Sequence, residues 1–214
     1  MKALLYCAII LSLLSISSLS FACPTNKKVL IVGDSHMNMA FGNKLISLFS
    51  KNNDVISYGV CAASTESILH ESKTKCGFTI KSGTDGVVKE IVKKWKSSVS
   101  SFEQILLTQN PNVVVIVLGT NNIFDGNTSF MTTLSLINLA NKHHQELYWI
   151  GPPNIIGYTS QFRMIIAALQ NKNVNYVDSK AFNKRAPLNI QDPHFDKITG
   201  QKWATWSFHG LGCQ

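Results

Sequence analysis

The chain has 214 residues, 45% of them apolar, and its 20 Lys and Arg against 12 Asp and Glu give a formal net charge of +8. That length fits a leader plus one domain large enough to bury a core without staples. No nucleic-acid-binding module is recognisable and the aromatics sit at core-like spacings, so the basic excess does not point to nucleic acid.

Near the N-terminus, Lys2 is followed by an apolar run, and Ser20-Phe21-Ala22 puts small residues where a signal peptidase reads them. Residues 1–22 are therefore expected to be a secretory signal peptide, and 23–214 a secreted or periplasmic domain. No later run is apolar for the ~20 residues that a bilayer span needs, so no transmembrane segment is expected. A lipoprotein signal competes, because Cys23 follows Ala22, but Ser20 stands where that signal wants Leu. Cys7 leaves with the leader. Cys23, Cys61, Cys76 and Cys213 remain, and an even count in an exported chain reads as disulfides. The expected pairs are Cys61–Cys76, closing a short loop, and Cys23–Cys213, tying the two ends together. No Cys or His spacing fits zinc, and no metal is expected.

Lys28–Gly33 is a short apolar run that ends at Gly33-Asp34-Ser35, after which Met39, Leu45, Leu48 and Phe49 recur at helical spacing. This predicts a buried strand, a tight turn and a helix carrying Ser35 in its first turn. A serine there either caps the helix or, if a histidine reaches it, serves as a nucleophile beside unpaired N–H groups. Asp54–Gly59 predicts a second strand. Residues 60–85 read as an irregular excursion over the strand ends, bracketed by Cys61 and Cys76. Gly86–Lys96 predicts a helix burying Val88, Ile91, Val92 and Trp95, with Lys89, Lys93, Lys94 and Lys96 on a solvated outer face. Such a face would also attract an anionic cell-wall or surface polymer.

A helix over Phe102–Gln109, closed by Pro111, precedes the most strand-like run, Asn112–Gly119. Then follow a helix through Met131, Leu134, Leu136, Ile137 and Leu139, a strand Glu146–Gly151, and a helix through Phe162, Ile165, Ile166 and Leu169. A fifth strand, Val174–Asp178, and a last helix, Lys197–Ser207, complete the chain. Strands alternating with helices predict an α/β fold, a five-stranded parallel sheet covered on both faces. In such sheets ligands bind beyond the carboxyl ends of the strands, where Ser35, Gly59, Asn121 and Gly151 fall.

Asn121 could donate to an oxyanion together with the N–H groups of Ser35 and Gly59; taken singly, Asn121 and Gly59 read as turn residues. Among the histidines, His36 would point elsewhere on a helix, His70 lies in the excursion, His143 and His144 lie at a polar helix end far from the strand tips, and His209 follows the last helix. His194, between Asp192 and Asp196 before the last helix, is the best base.

With these residues assembled, the chain resembles the SGNH (GDSL-like) hydrolase family. Gly33-Asp34-Ser35, Gly59, Gly119-Thr120-Asn121 and His194 match its motifs in order across nearly the whole mature chain. The resemblance implies a three-layer α/β/α sandwich of flavodoxin-like topology and ester hydrolysis without a cofactor. It implies Ser35 as nucleophile, His194 as base, and the Ser35 N–H, Gly59 and Asn121 as oxyanion hole. The family's Asp-x-x-His would put the acid at Gln191; some relatives use Asp-x-His, which Asp192 satisfies. Asp192 is therefore the expected acid and Asp196 the expected cap of the last helix. The second departure is Asn122, where the family usually has Asp. The expected function is an exported serine esterase that removes small acyl groups, acetyl foremost, from an envelope or extracellular carbohydrate. An acyltransferase, or an inactive binding protein on the same fold, are the alternatives.

Overall fold

Residues 23–214, apart from 75, 125–127, 158, 173 and 190, are described by the structure, a computed structural model; the expected leader lies outside the described residues. The elements run β1 (Lys28–Gly33), a 3₁₀ turn (Ser35–Asn38), α1 (Ala40–Phe49), β2 (Asp54–Val60), β3 (Ser72–Lys73), β4 (Phe78–Thr84) and β5 (Val87–Lys94). They continue as β6 (Ser98–Val99), α2 (Phe102–Gln109), β7 (Val113–Val117), a 3₁₀ turn (Thr120–Phe124), α3 (Ser129–Lys142) and β8 (Glu146–Ile150). The last are α4 (Thr159–Asn171), β9 (Asn175–Val177), a 3₁₀ turn (Ser179–Ala181) and α5 (Lys197–Gly210).

β1 is apolar on both faces because both are covered. Val29 and Ile31 pack with Leu45 and Phe49 of α1 and with Trp203 and Phe208 of α5. Leu30 and Val32 pack on the other side with Phe102 of α2, Leu136 of α3 and Ile165 of α4. Each such side chain, fully buried, is worth roughly 1.5–3 kcal/mol. Five parallel strands in the order β2-β1-β7-β8-β9 reproduce the flavodoxin-like topology.

The sheet is nevertheless larger than the expected five strands. It has seven, because β4 and β5 extend it beyond β2 as an antiparallel hairpin. The helix expected over Gly86–Lys96 is therefore a strand, and Phe78–Thr84, expected to be irregular, is its partner. Asp85 and Gly86, at φ 51° and 76°, form the two-residue turn between them. Asp-Gly suits that turn, which needs positive φ at both positions. The 3–4 spacing of Val88, Ile91, Val92 and Trp95 imitates a helix, but a register shift between Ile80 and Lys81 accounts for it. Ile91 and Trp95 are 56% and 69% exposed, so they are not one buried stripe.

Two disulfides are present. Cys61–Cys76 spans 15 residues where β2 gives way to the excursion, and Cys23–Cys213 joins the two ends with Cα atoms 4.7 Å apart. Cys23 is thus bonded to Cys213, the pairing the sequence led one to expect. Among the described residues no helix is long and apolar enough to cross a membrane. Closing the 15-residue loop should stabilise the fold by about 3 kcal/mol. A Cys61→Ser/Cys76→Ser double variant should lose about that amount in urea denaturation while remaining folded in water.

Candidate active site

The chain leaves β1 at Gly33, and Asp34 closes the next turn by accepting the His36 N–H at 3.0 Å. Ser35 therefore opens a 3₁₀ turn; the α-helix starts only at Ala40, after an extended Met39. As the first residue of that turn, Ser35 has an N–H with no intrahelical acceptor. Its Oγ lies 2.8 Å from His194 Nε2, across 159 residues of chain. α5 brings His194 there: its Trp203 stacks on Phe41 of α1 at 3.9 Å between ring centroids.

Below this pair lie two buried titratable groups. Burial pushes the Asp34 carboxyl up to about 7, against the opposing pull of the His36 N–H and the Thr120 hydroxyl. Burial also pushes His36 down to about 3, with His194 adding to the effect. The His36 ring sits 5.0 Å from both the His194 and Trp203 rings. Sequence reasoning sent His36 away from the site by assuming α-helical geometry; the tighter 3₁₀ turn brings it in behind the base. The Asp34 cap two residues earlier was the only cue.

His194 is half-buried, and burial holds it below the ordinary histidine value, partly offset by the Asp192 carboxylate. Asp192 is exposed and acts on the ring through its charge; among the described residues the two share no hydrogen bond. Asp196 instead caps α5, accepting the N–H groups of Ile198 at 2.8 Å and Thr199 at 3.0 Å and the Thr199 hydroxyl.

Gly59 is a correction. The Cys61 N–H donates to Gly77 O, and the antiparallel register pairs Gly59 with Thr79 two residues further on. Hydrogen-bonded pairs alternate along such a ladder, so the Gly59 N–H belongs to Thr79 and is not available to an oxyanion. What the position requires is space: a Cβ at Gly59 would lie 2.2 Å from Asn38 Oδ1 and 3.0 Å from Met37 Cβ. Its bare backbone lets the Ser35 turn sit directly on β2.

Asn121, just past β7, donates one amide N–H to Ala63 O at 3.0 Å, which leaves its second N–H to be used elsewhere. Asn122 is fully buried. It accepts the Thr65 N–H at 3.2 Å and donates to the hydroxyls of Thr65 and of Ser129 in α3. Asn122 therefore ties the segment after β2 to the turn that follows β7. A cleft of about 260 Å³ opens beside Ser35 and His194, walled by Asn38, Met39, the Cys61–Cys76 bridge and the end of β5.

With this geometry in hand, comparison with known proteins finds solved structures of similar fold. A G-D-S-L family protein from Desulfitobacterium hafniense superposes with a TM-score of 0.58 at 12% identity, covering 86% of this chain and 99% of that one. A GDSL-like lipase from Bacteroides thetaiotaomicron gives 0.55 at 12% identity over 90% and 92% of the two chains. A peptidoglycan O-acetylesterase gives 0.52 at 9% identity over 92% and 93%. At these identities the likeness is one of fold. No protein-family model and no curated protein sequence matches the chain.

The His194 ring should titrate below 6.5 in a histidine NMR titration. Asp192→Asn should lower it further, because the lost carboxylate favoured the imidazolium. A midpoint that rises in the variant would contradict this electrostatic assignment.

Proposed function

We propose that the protein is an exported serine ester hydrolase that removes small acyl groups, acetyl foremost, from an envelope or extracellular carbohydrate. The observation that carries this reading is the 2.8 Å contact between Ser35 Oγ and His194 Nε2 at the carboxyl end of β1. His194, neutral at neutral pH because burial disfavours its charged form, takes the Ser35 proton as Oγ attacks the ester carbonyl. The developing oxyanion accepts from the Ser35 N–H and from the free amide N–H of Asn121. His194 then protonates the departing alcohol, and the acyl group stays on Ser35. Water attacks that acyl-enzyme with His194 again as base, which returns the serine and releases the acid. Asp192 supports the imidazolium through its field. No step requires a cofactor.

Export is supported by the leader-like N-terminus and by two disulfides, which persist in oxidising compartments. The carbohydrate substrate draws on the peptidoglycan O-acetylesterase among the structures of similar fold. Hydrolysis of p-nitrophenyl acetate tests the chemistry. Ser35→Ala should reduce turnover by roughly 10³-fold or more with the fold intact. Asn121→Ala should cost on the order of 10²–10³-fold in kcat, as one oxyanion donor of several is lost. Undiminished turnover in Ser35→Ala would overturn the mechanism.

A further inference from the structure

The cleft beside Ser35 continues past the catalytic pair to the end of the hairpin, where Glu90, Lys93, Lys94 and Trp95 form its far wall. Trp95 is 69% exposed. Single exposed aromatics are ordinary, and three features set this one apart.

Its position is fixed. Gly77, at φ 93°, lies so close to the strand that a Cβ there would stand 2.0 Å from Lys94 O and 3.0 Å from Trp95 Cα. Gly77 follows Cys76, which is bonded to Cys61, so the backbone at Trp95 lies against a cross-linked segment.

It also faces the site. Lys93 lies near the end of β5 and Trp95 just beyond it, and both line the cleft that holds Ser35 and His194. Lys93 pairs with Thr79, whose hydroxyl donates to Asn38 in the Ser35 turn.

Finally, its surroundings are basic. Lys93 Nζ stands 5.6 Å from the Trp95 ring centroid. Lys94 and Lys96 adjoin it, with Glu90 the one acid between Val87 and Ser97. A long acyl chain laid along this wall would strip water from these charges without replacing it. A sugar ring would not: its C–H face stacks on the indole while its polar rim stays solvated, and an acidic sugar adds a carboxylate for the ammonium.

We propose that Trp95 and Lys93 form a binding subsite for an acidic sugar residue of the acylated polymer, with the indole under the ring and the Lys93 ammonium on its carboxylate. The subsite rests on the hydrolase reading for its relation to Ser35, but binding there does not require turnover.

The test is calorimetric titration of the Ser35→Ala mature chain with a hexamer of galacturonic acid, a neutral glucose hexamer and a decanoyl detergent. The acidic hexamer should bind at least about tenfold more tightly than the neutral one. Trp95→Ala and Lys93→Gln should each weaken it about tenfold, in line with the ~1–3 kcal/mol of a stacking or cation contact. Trp95→Phe should keep most of the affinity. Raising salt from about 50 to 300 mM should weaken the parent more than Lys93→Gln. Equal affinity for the two hexamers, binding of the detergent alone, or binding indifferent to Trp95→Ala would overturn the proposal. Turnover of p-nitrophenyl acetate by the unmutated chain is measured alongside. Turnover without binding of the acidic hexamer removes the subsite alone; binding without turnover removes the hydrolase reading and leaves the subsite.

Discussion

Everything at the site depends on how closely the Ser35 turn sits on the strands beneath it. A Cβ at Gly33 would lie 2.6 Å from Met37 Cγ and 2.8 Å from Val117 O, so the chain can turn out of β1 only with nothing there. Met37, the third residue of the turn, is then fully buried as a plug against the core. Its carbonyl accepts from the ammonium of Lys81 at 3.1 Å, and Lys81 also donates to Asn43 Oδ1 in α1 at 2.8 Å. Burial holds Lys81 below the ordinary lysine value, and its two oxygen partners are neutral. A buried amine so placed bridges turn and helix from below, and it comes from β4 of the hairpin, not from the five-stranded core.

The hairpin therefore serves two ends of one site. Lys81 and Thr79 reach inward to the turn that carries Ser35, through Met37 O and Asn38. Lys93, near the end of the neighbouring strand, and Trp95, just beyond it, line the cleft. The Cys61–Cys76 bridge lines the same cleft and joins the chain just after β2 to the chain just before β4. Floor and wall of the cleft are consequently carried by one paired hairpin, and a site built on strands is held more precisely than one built on a free loop.

How much of this was legible in the sequence follows from how local each cue is. β1, β7 and β8 are unbroken apolar runs bounded by polar residues and glycine, and α5 begins at a carboxylate that caps it; such signals need no partner to be read. Ser35 and His194 were legible because each stands at the border of such an element. The hairpin was not, because a bulge moved its apolar residues to helix-like intervals, and only Asp85-Gly86 spoke against a helix. Gly59 failed for a different reason. A glycine at a strand end looks like a free donor until a strand that was not anticipated takes its N–H.

The electrostatics of the base follow from the same packing. When His194 takes the serine proton it becomes an imidazolium 5.0 Å from a second imidazole, and a charged His36 would oppose that step. Burial, with His194 adding to the effect, pushes His36 down to about 3, so the second ring is neutral at neutral pH. Asp34 carries the opposite cost. Its carboxyl is raised from 3.8 to about 7, so the folded state binds that proton more tightly than the unfolded state does. This contribution to stability is complete below 3.8 and is lost as the pH rises through about 7. The turn that positions the nucleophile thus pairs a histidine kept neutral with a carboxyl near its midpoint at neutral pH. Of the two, it is Asp34, the cap of the turn, whose ionisation loads the fold as the solution becomes alkaline.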